Sequence, residues 1–172
     1  MSDDTSRDDG KTHDEQVAKI AELIKDVRIS TLTTVDTDGT LWSRPMAIQT
    51  DAFDGTLHYF TKADSEKLTH VAANPNVSVA FSDPDDQNYV MMAGTAAVAN
   101  DRARIAELWS EPMRTWFPEG SDDPDLRLLT VDVTRAEYWD TPSSAVVYAY
   151  GYVKAVLTGK PAKPGDHAKV SL

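Results

Sequence analysis

The sequence predicts a mainly β (α+β) domain: a six-stranded antiparallel sheet closed into a small barrel, with peripheral helices. Three observations predict it. Six segments rich in Val, Ile, Thr and aromatic residues alternate with the two-residue period of a strand. Most are joined in hairpin order, without the strand–helix–strand rhythm of a parallel sheet. Helical spacing appears only in short stretches between them.

The elements follow in order. Met1 to about Thr12 is acidic and reads as a disordered tail. From His13 to Asp26, Val17, Ile20, Ala21 and Ile24 recur at helical spacing and predict an amphipathic helix. Ile29–Val35 is the first strand, and Asp36-Thr37-Asp38-Gly39 has a hairpin-turn signature. Thr40–Gln49 is the return strand, and Leu57–Thr61 is the third. A helix from Asp64 to Ala73 places Leu68, Val71 and Ala72 inward and stops before Asn74-Pro75. Asn76–Ser82 and Tyr89–Ala99 are strands, the latter with Gly94 as a bulge. Asp101 caps a helix over Arg102–Trp109. A loop holding WFPEG and SDDPD leads to the sixth strand, Leu126–Trp139. Ser143–Thr158 is strand-like in composition and long enough for a helix, so both readings stay open. The expected organisation is a tail over 1–12, one domain over 13–158 and an extended C-terminal tail over 159–172.

A chain of 172 residues has room for one good core and buries roughly 70% of its unfolded surface. The formal net charge of −11 argues against nucleic acid and anionic membranes as partners. The absence of cysteine excludes disulfides, thiolate catalysis and cysteine-held metal clusters. No apolar run reaches membrane-spanning length and the N-terminal stretch lacks a signal-peptide core, so a cytoplasmic protein is expected.

The chemistry-bearing stretch is Trp42–Lys67. Strand alternation puts Trp42, Arg44, Met46 and Ile48 on one face, which the apolar residues mark as core-facing. An arginine there is costly unless something anionic meets it. Lys62 and Lys67 flank the start of the following helix, and helix N-termini favour phosphate. The charge pattern fits either a phosphorylated ligand or a buried ion pair with two solvated lysines. Trp116-Phe117-Pro118 places two large aromatics in a polar loop, where they plug the barrel end or cover a ligand. The four histidines, His13, His58, His70 and His167, contain no pair at i, i+4 spacing, so metal binding is not expected. Asp83, Asp85 and Asp86, and likewise Asp122, Asp123 and Asp125, read as solvated loops. No G-x-S-x-G, phosphate-binding P-loop or G-x-G-x-x-G motif occurs, so serine hydrolase, P-loop and Rossmann readings lose support; with no nucleophile–base pair in the sequence, an enzyme's reactive group is expected to come from a cofactor.

Three stretches in order, SRPM at Ser43–Met46, HYFTKADSEK at His58–Lys67 and NPNVSVAF at Asn74–Phe81, resemble the flavin-binding split-barrel family of pyridoxamine 5′-phosphate oxidase. The later stretch from Leu108 to Asp140 resembles its general stress protein branch. The resemblance covers about Glu15 to Asp140. It implies a six-stranded antiparallel split β-barrel and a homodimer with FMN at the interface. Matched residue by residue, it implies that Arg44, Pro45 and Met46 line the flavin. Phe60, Thr61 and Lys62 would contact its ring and phosphate side, Ser65 and Lys67 its phosphate, and Trp116 and Phe117 would belong to an aromatic loop near it. It also implies a helix over Ser143–Thr158. The oxidase itself carries substrate-binding arginines near its C-terminus, and none follows Arg135 here, so pyridoxal phosphate synthesis is not expected. The expected function is that of an FMN-dependent oxidoreductase with a stress-related role, taking electrons from a small donor such as NAD(P)H. The alternatives are a non-catalytic flavin-binding or storage module and a reductase using the deazaflavin F420. Haem fits least, since no histidine is placed as an axial ligand.

Overall fold

The computed structural model describes residues 12–50, 52–140 and 166–172. Helix α1 (His13–Ile24) leads into strands β1 (Ile29–Val35), β2 (Leu41–Ala47) and β3 (Thr56–Lys62). Helix α2 (Glu66–Ala73) precedes β4 (Asn76–Asp83) and β5 (Asn88–Ala99). Helix α3 (Arg102–Leu108) and two short 3-10 helices, Glu111–Thr115 and Gly120–Asp122, come before β6 (Leu126–Asp140). Strand β7 (Asp166–Ser171) lies last in the order. All of the expected tail over 1–12 except Thr12, and the open segment Ser143–Thr158, lie outside the described residues.

Local signals explain the helix ends. Thr12 opens α1 with a reciprocal capping box: its Oγ1 accepts from the Glu15 N–H, and the Glu15 carboxylate accepts from the Thr12 N–H at 2.7 Å. Asp101 caps α3 by accepting from the Arg104 N–H. Helix α2 stops at Asn74, the residue before Pro75, which a proline biases away from helix.

The strand order is β2-β1-β4-β5-β6-β3, with β7 paired to β6, and every ladder is antiparallel. The two ends of this path meet at one bridge, Ile48 with Tyr59, where the Gln49 N–H donates to the His58 carbonyl at 2.9 Å. Among the described residues no continuous ladder closes the sheet, which is the arrangement of a split barrel. Strand β6 holds it together, pairing with β3, β5 and β7 along its 15 residues.

The main core lies inside the curled sheet. Leu32, Val79, Phe81, Met92, Leu129 and Tyr138 pack there, and α1 lays Ile20, Leu23 and Ile24 against them. Each fully buried side chain of this size contributes about 1.5–3 kcal/mol. A second cluster, Phe60, Ile105, Met113, Phe117, Leu126 and Leu128, joins β3 and β6 to α3 and the 3-10 segment. Across the barrel, the Ser30 and Tyr59 hydroxyls hydrogen-bond at 2.9 Å.

Gly94 marks the bulge that the sequence predicts: the β5–β6 register shifts between Ala93 and Gly94. A Cβ there would stand 2.2 Å from the Asp132 carbonyl oxygen, so only glycine permits the approach.

Three expectations need correction. The stretch over 159–172 is not simply a tail: Asp166–Ser171 is a seventh strand, burying Ala168 and Val170 on alternate positions. Its short period-two signal is obscured by the prolines and lysines around it. Trp42 does not sit on a buried stripe but is 49% exposed; of its face only Met46 is buried, because β2 is an end strand whose outer stretch stays uncovered among the described residues. The SDDPD loop is not merely solvated either. Asp123 is buried, and Arg102 donates to the carbonyls of Asp123 at 2.7 Å and Pro124 at 3.3 Å, clamping the loop to α3.

Candidate functional site

Arg44 leaves the middle of β2, opposite Leu32 of β1. The buried Thr34 hydroxyl accepts from Arg44 Nη1 at 2.8 Å, which fixes the guanidinium at the rim of the sheet. Lys67 lies in the first turn of α2 and bends back toward the end of β3. Its ammonium donates to Thr61 Oγ1 at 2.9 Å and to Ser65 Oγ. Ser65 is the N-cap residue of α2, yet its side chain caps no backbone N–H. The helix start therefore keeps its uncapped donors and its positive dipole end.

The Arg44 charge acts on Lys67. Partial burial holds the Lys67 pKa below that of an ordinary lysine, and the charge of Arg44 lowers it further; Asp64 opposes the shift. Among the described residues, neither Arg44 nor Lys67 has a carboxylate within ion-pair distance. Two half-buried like charges without a counter-ion are unfavourable, and an anion between them relieves both.

The other residues singled out by sequence divide into two groups. Pro45, Lys62 and Trp116 are exposed and Ser65 is half-buried, so all four present surface to a ligand. Met46, Phe60, Thr61 and Phe117 are buried within this chain. Phe117 meets Phe60 edge-on at 6.4 Å between centroids, and Trp109 stacks on Phe60 at 5.9 Å. Of the aromatic pair in the loop, Phe117 packs into the second core cluster and Trp116 is exposed.

Sequence reasoning missed Thr34 and set His70 aside with the other histidines. Thr34 alternates with Ser30 and Leu32 as an inward residue of β1, so its burial is legible, but nothing in the sequence pairs it with Arg44. Thr34 Oγ1 also lies 2.9 Å from His70 Nδ1, which puts a buried histidine behind the arginine.

Arg44 and Lys67 are each half-buried. A cleft of about 610 Å³ opens between α1 and the β2–β3 connection, lined by Lys25, Arg28, Gln49, Phe53 and Ser110. A second, of about 570 Å³, runs along β5, β6 and β7. Neither includes Arg44 or Lys67. No helix among the described residues is long and apolar enough to cross a membrane.

Comparison with known proteins gives this geometry a family. The chain is similar to general stress protein 26 of Bacillus subtilis, with 27% identity over 117 residues, 66% of this chain and 81% of that protein. A solved structure described as a general stress protein 26 from Jannaschia sp. CCS1 superposes with a TM-score of 0.74 at 28% identity, covering 92% of this chain and 99% of that one. The general stress FMN/FAD binding protein of Xanthomonas citri gives a TM-score of 0.65 at 28% identity, over 76% of this chain and 92% of that one. Residues 15–163 match the family model described as pyridoxamine 5′-phosphate oxidase like, and the chain belongs to that family.

Proposed function

We propose that this chain binds FMN at the rim formed by Arg44, Lys67 and the start of α2, and acts as a flavin-dependent oxidoreductase. The observation that carries the proposal is the pair of cations: Arg44 and Lys67 are near enough to shift a pKa and have no carboxylate partner among the described residues. A phosphate dianion matches both charges and the uncapped donors of α2. The Xanthomonas citri relative, named for FMN/FAD binding, supports a flavin as the bearer of that phosphate.

Each residue has a role in this reading. Arg44 and Lys67 bind the phosphate. Thr34 orients Arg44, and Thr61 and Ser65 hold the Lys67 ammonium. Lys62 adds positive potential from the strand end. Pro45 and Trp116 offer surface to the ring, while Met46, Phe60 and Phe117 keep the wall behind it rigid. Bound FMN would supply the redox chemistry, and these residues would bind and orient it.

Among the described residues Pro45, Lys62 and Trp116 are exposed, and a flat ring needs walls on both sides to exclude water. Leu41, Trp42 and Trp116 leave large apolar surface exposed. A homodimer with FMN at the interface covers this surface and supplies the second wall. Reduced nicotinamide is the proposed electron donor, and the cytoplasm the proposed compartment. The test is to purify the full chain, saturate it with FMN and follow flavin bleaching under anaerobic NADH or NADPH. Bleaching faster than for free FMN supports the oxidoreductase; bound FMN that bleaches no faster contradicts it and leaves a binding module.

A further inference from the structure

We propose that Asp36, Glu66 and His70 form a binding site for a divalent first-row cation such as Zn²⁺, beside the end of β1 and the first turns of α2. One ligand atom from each of the three lies within 4.8 Å of the others. Glu66 and His70 stand at i, i+4 on α2 and so share a face. Asp36 follows β1 at the start of the hairpin turn. Its Oδ1 accepts from the Thr37 N–H at 2.6 Å, which leaves Oδ2 to face the histidine.

The observation that points to a ligand is His70 itself. It is 1% exposed, and its Nε2 is buried without a hydrogen-bond partner. A buried polar nitrogen left unmatched is costly and uncommon. Asp36 Oδ2 lies 3.5 Å from it. That is longer than the usual N–H···O distance of about 2.7–3.2 Å. It matches the spacing of two ligands on one tetrahedral cation, about 3.4 Å when each bond is about 2.0–2.2 Å. One imidazole with two carboxylates is a nitrogen–oxygen donor set suited to Zn²⁺.

The group behind the histidine fits the same role. His70 Nδ1 is 2.9 Å from Thr34 Oγ1. With Nε2 on a metal, Nδ1 carries the proton and donates it to that oxygen, which fixes ring and tautomer. Thr34 Oγ1 has two lone pairs, so it accepts from His70 and from Arg44 together. Glu66 is exposed, so the cation has a path in from solvent and keeps a coordination position for water. This site stands on its own residues and does not require the flavin reading.

The test uses the full chain, stripped with a chelator and titrated with Zn²⁺ by calorimetry, with histidine ¹⁵N spectra recorded in parallel. The expected result is saturation at one equivalent, with one Nε2 resonance moving to the metal-bound range. Asp36→Asn and Glu66→Gln lie at or near the surface, and each weakens binding by at least about tenfold, a loss seen even for groups that only orient a ligand. Unmoved Nε2 resonances in the wild type, or either variant titrating like the wild type, overturns the proposal.

Discussion

Lys67 folds back over the start of its own helix to donate to Thr61 Oγ1 at 2.9 Å, and this places its ammonium within the electrostatic reach of Arg44. Burial and then Arg44 lower its pKa from 10.5. In the proposed site the FMN phosphate stabilises the charged ammonium, so FMN affinity is expected to fall as pH rises through the titration of Lys67. Lys67→Met removes that pH dependence in the alkaline range. It also weakens FMN by about 10–100-fold, the scale of a hydrogen bond to a charged group, about 1.5–3 kcal/mol. Fluorescence titrations of FMN between neutral and alkaline pH check both outcomes.

Tyr59 links β3 to β1 through Ser30, and burial pushes its phenol pKa up to about 12, with the Ser30 hydrogen bond partly opposing the rise. The folded state thus keeps a proton that the unfolded chain releases near its ordinary pKa of 10.0. The associated stability is fully present below about pH 10 and is lost as pH rises toward 12, by about 2–3 kcal/mol in all. Urea unfolding across that range shows this loss in the wild type, and Tyr59→Phe flattens it.

Gly94 carries the β5–β6 bulge. Gly94→Ala drives a methyl group into the Asp132 carbonyl and destabilises the domain on the order of 3 kcal/mol. A thermal melt unchanged from wild type would mean that the two strands do not approach this closely.

Trp116 and Phe117 are neighbours with opposite fates. Phe117→Ala empties a space against Phe60 and Met113 and costs about 3–5 kcal/mol of stability. Trp116 is 56% exposed, so Trp116→Ala changes the stability of the isolated fold by about 0.5 kcal/mol at most. In the proposed dimer it lowers FMN affinity instead. Chemical denaturation and flavin titration of the two variants separate these effects.

Much of the fold was legible in the sequence because strand periodicity and turn chemistry are local signals. All six expected strands and three helices form within a few residues of their predicted bounds, and the bulge falls at Gly94. Strand β7 was not legible: six residues with two small inward side chains carry a weak pattern. Alternation identified the face of Trp42 correctly but not its burial, since that depends on what covers an end strand. Arg44 and Lys67 stood out because a charge among apolar residues and a charge at a helix start each have a physical meaning. Thr34 and His70 did not, because their contact joins β1 to α2 across 36 positions of the chain. The i, i+4 relation of Glu66 to His70 was present in the sequence, but a carboxylate–histidine spacing on one helix is common and needs Asp36 beside it to acquire meaning.

The most direct test of the flavin reading is a titration of the wild-type chain and Arg44→Ala with FMN and with riboflavin, with thermal melts of both proteins. The account predicts that the wild type binds FMN more tightly than riboflavin. It predicts that Arg44→Ala weakens FMN by about 10–100-fold with little change for riboflavin, as loss of a charge-assisted phosphate contact requires. Equal affinity of the wild type for the two flavins, or a loss in Arg44→Ala that is the same for both, would contradict it.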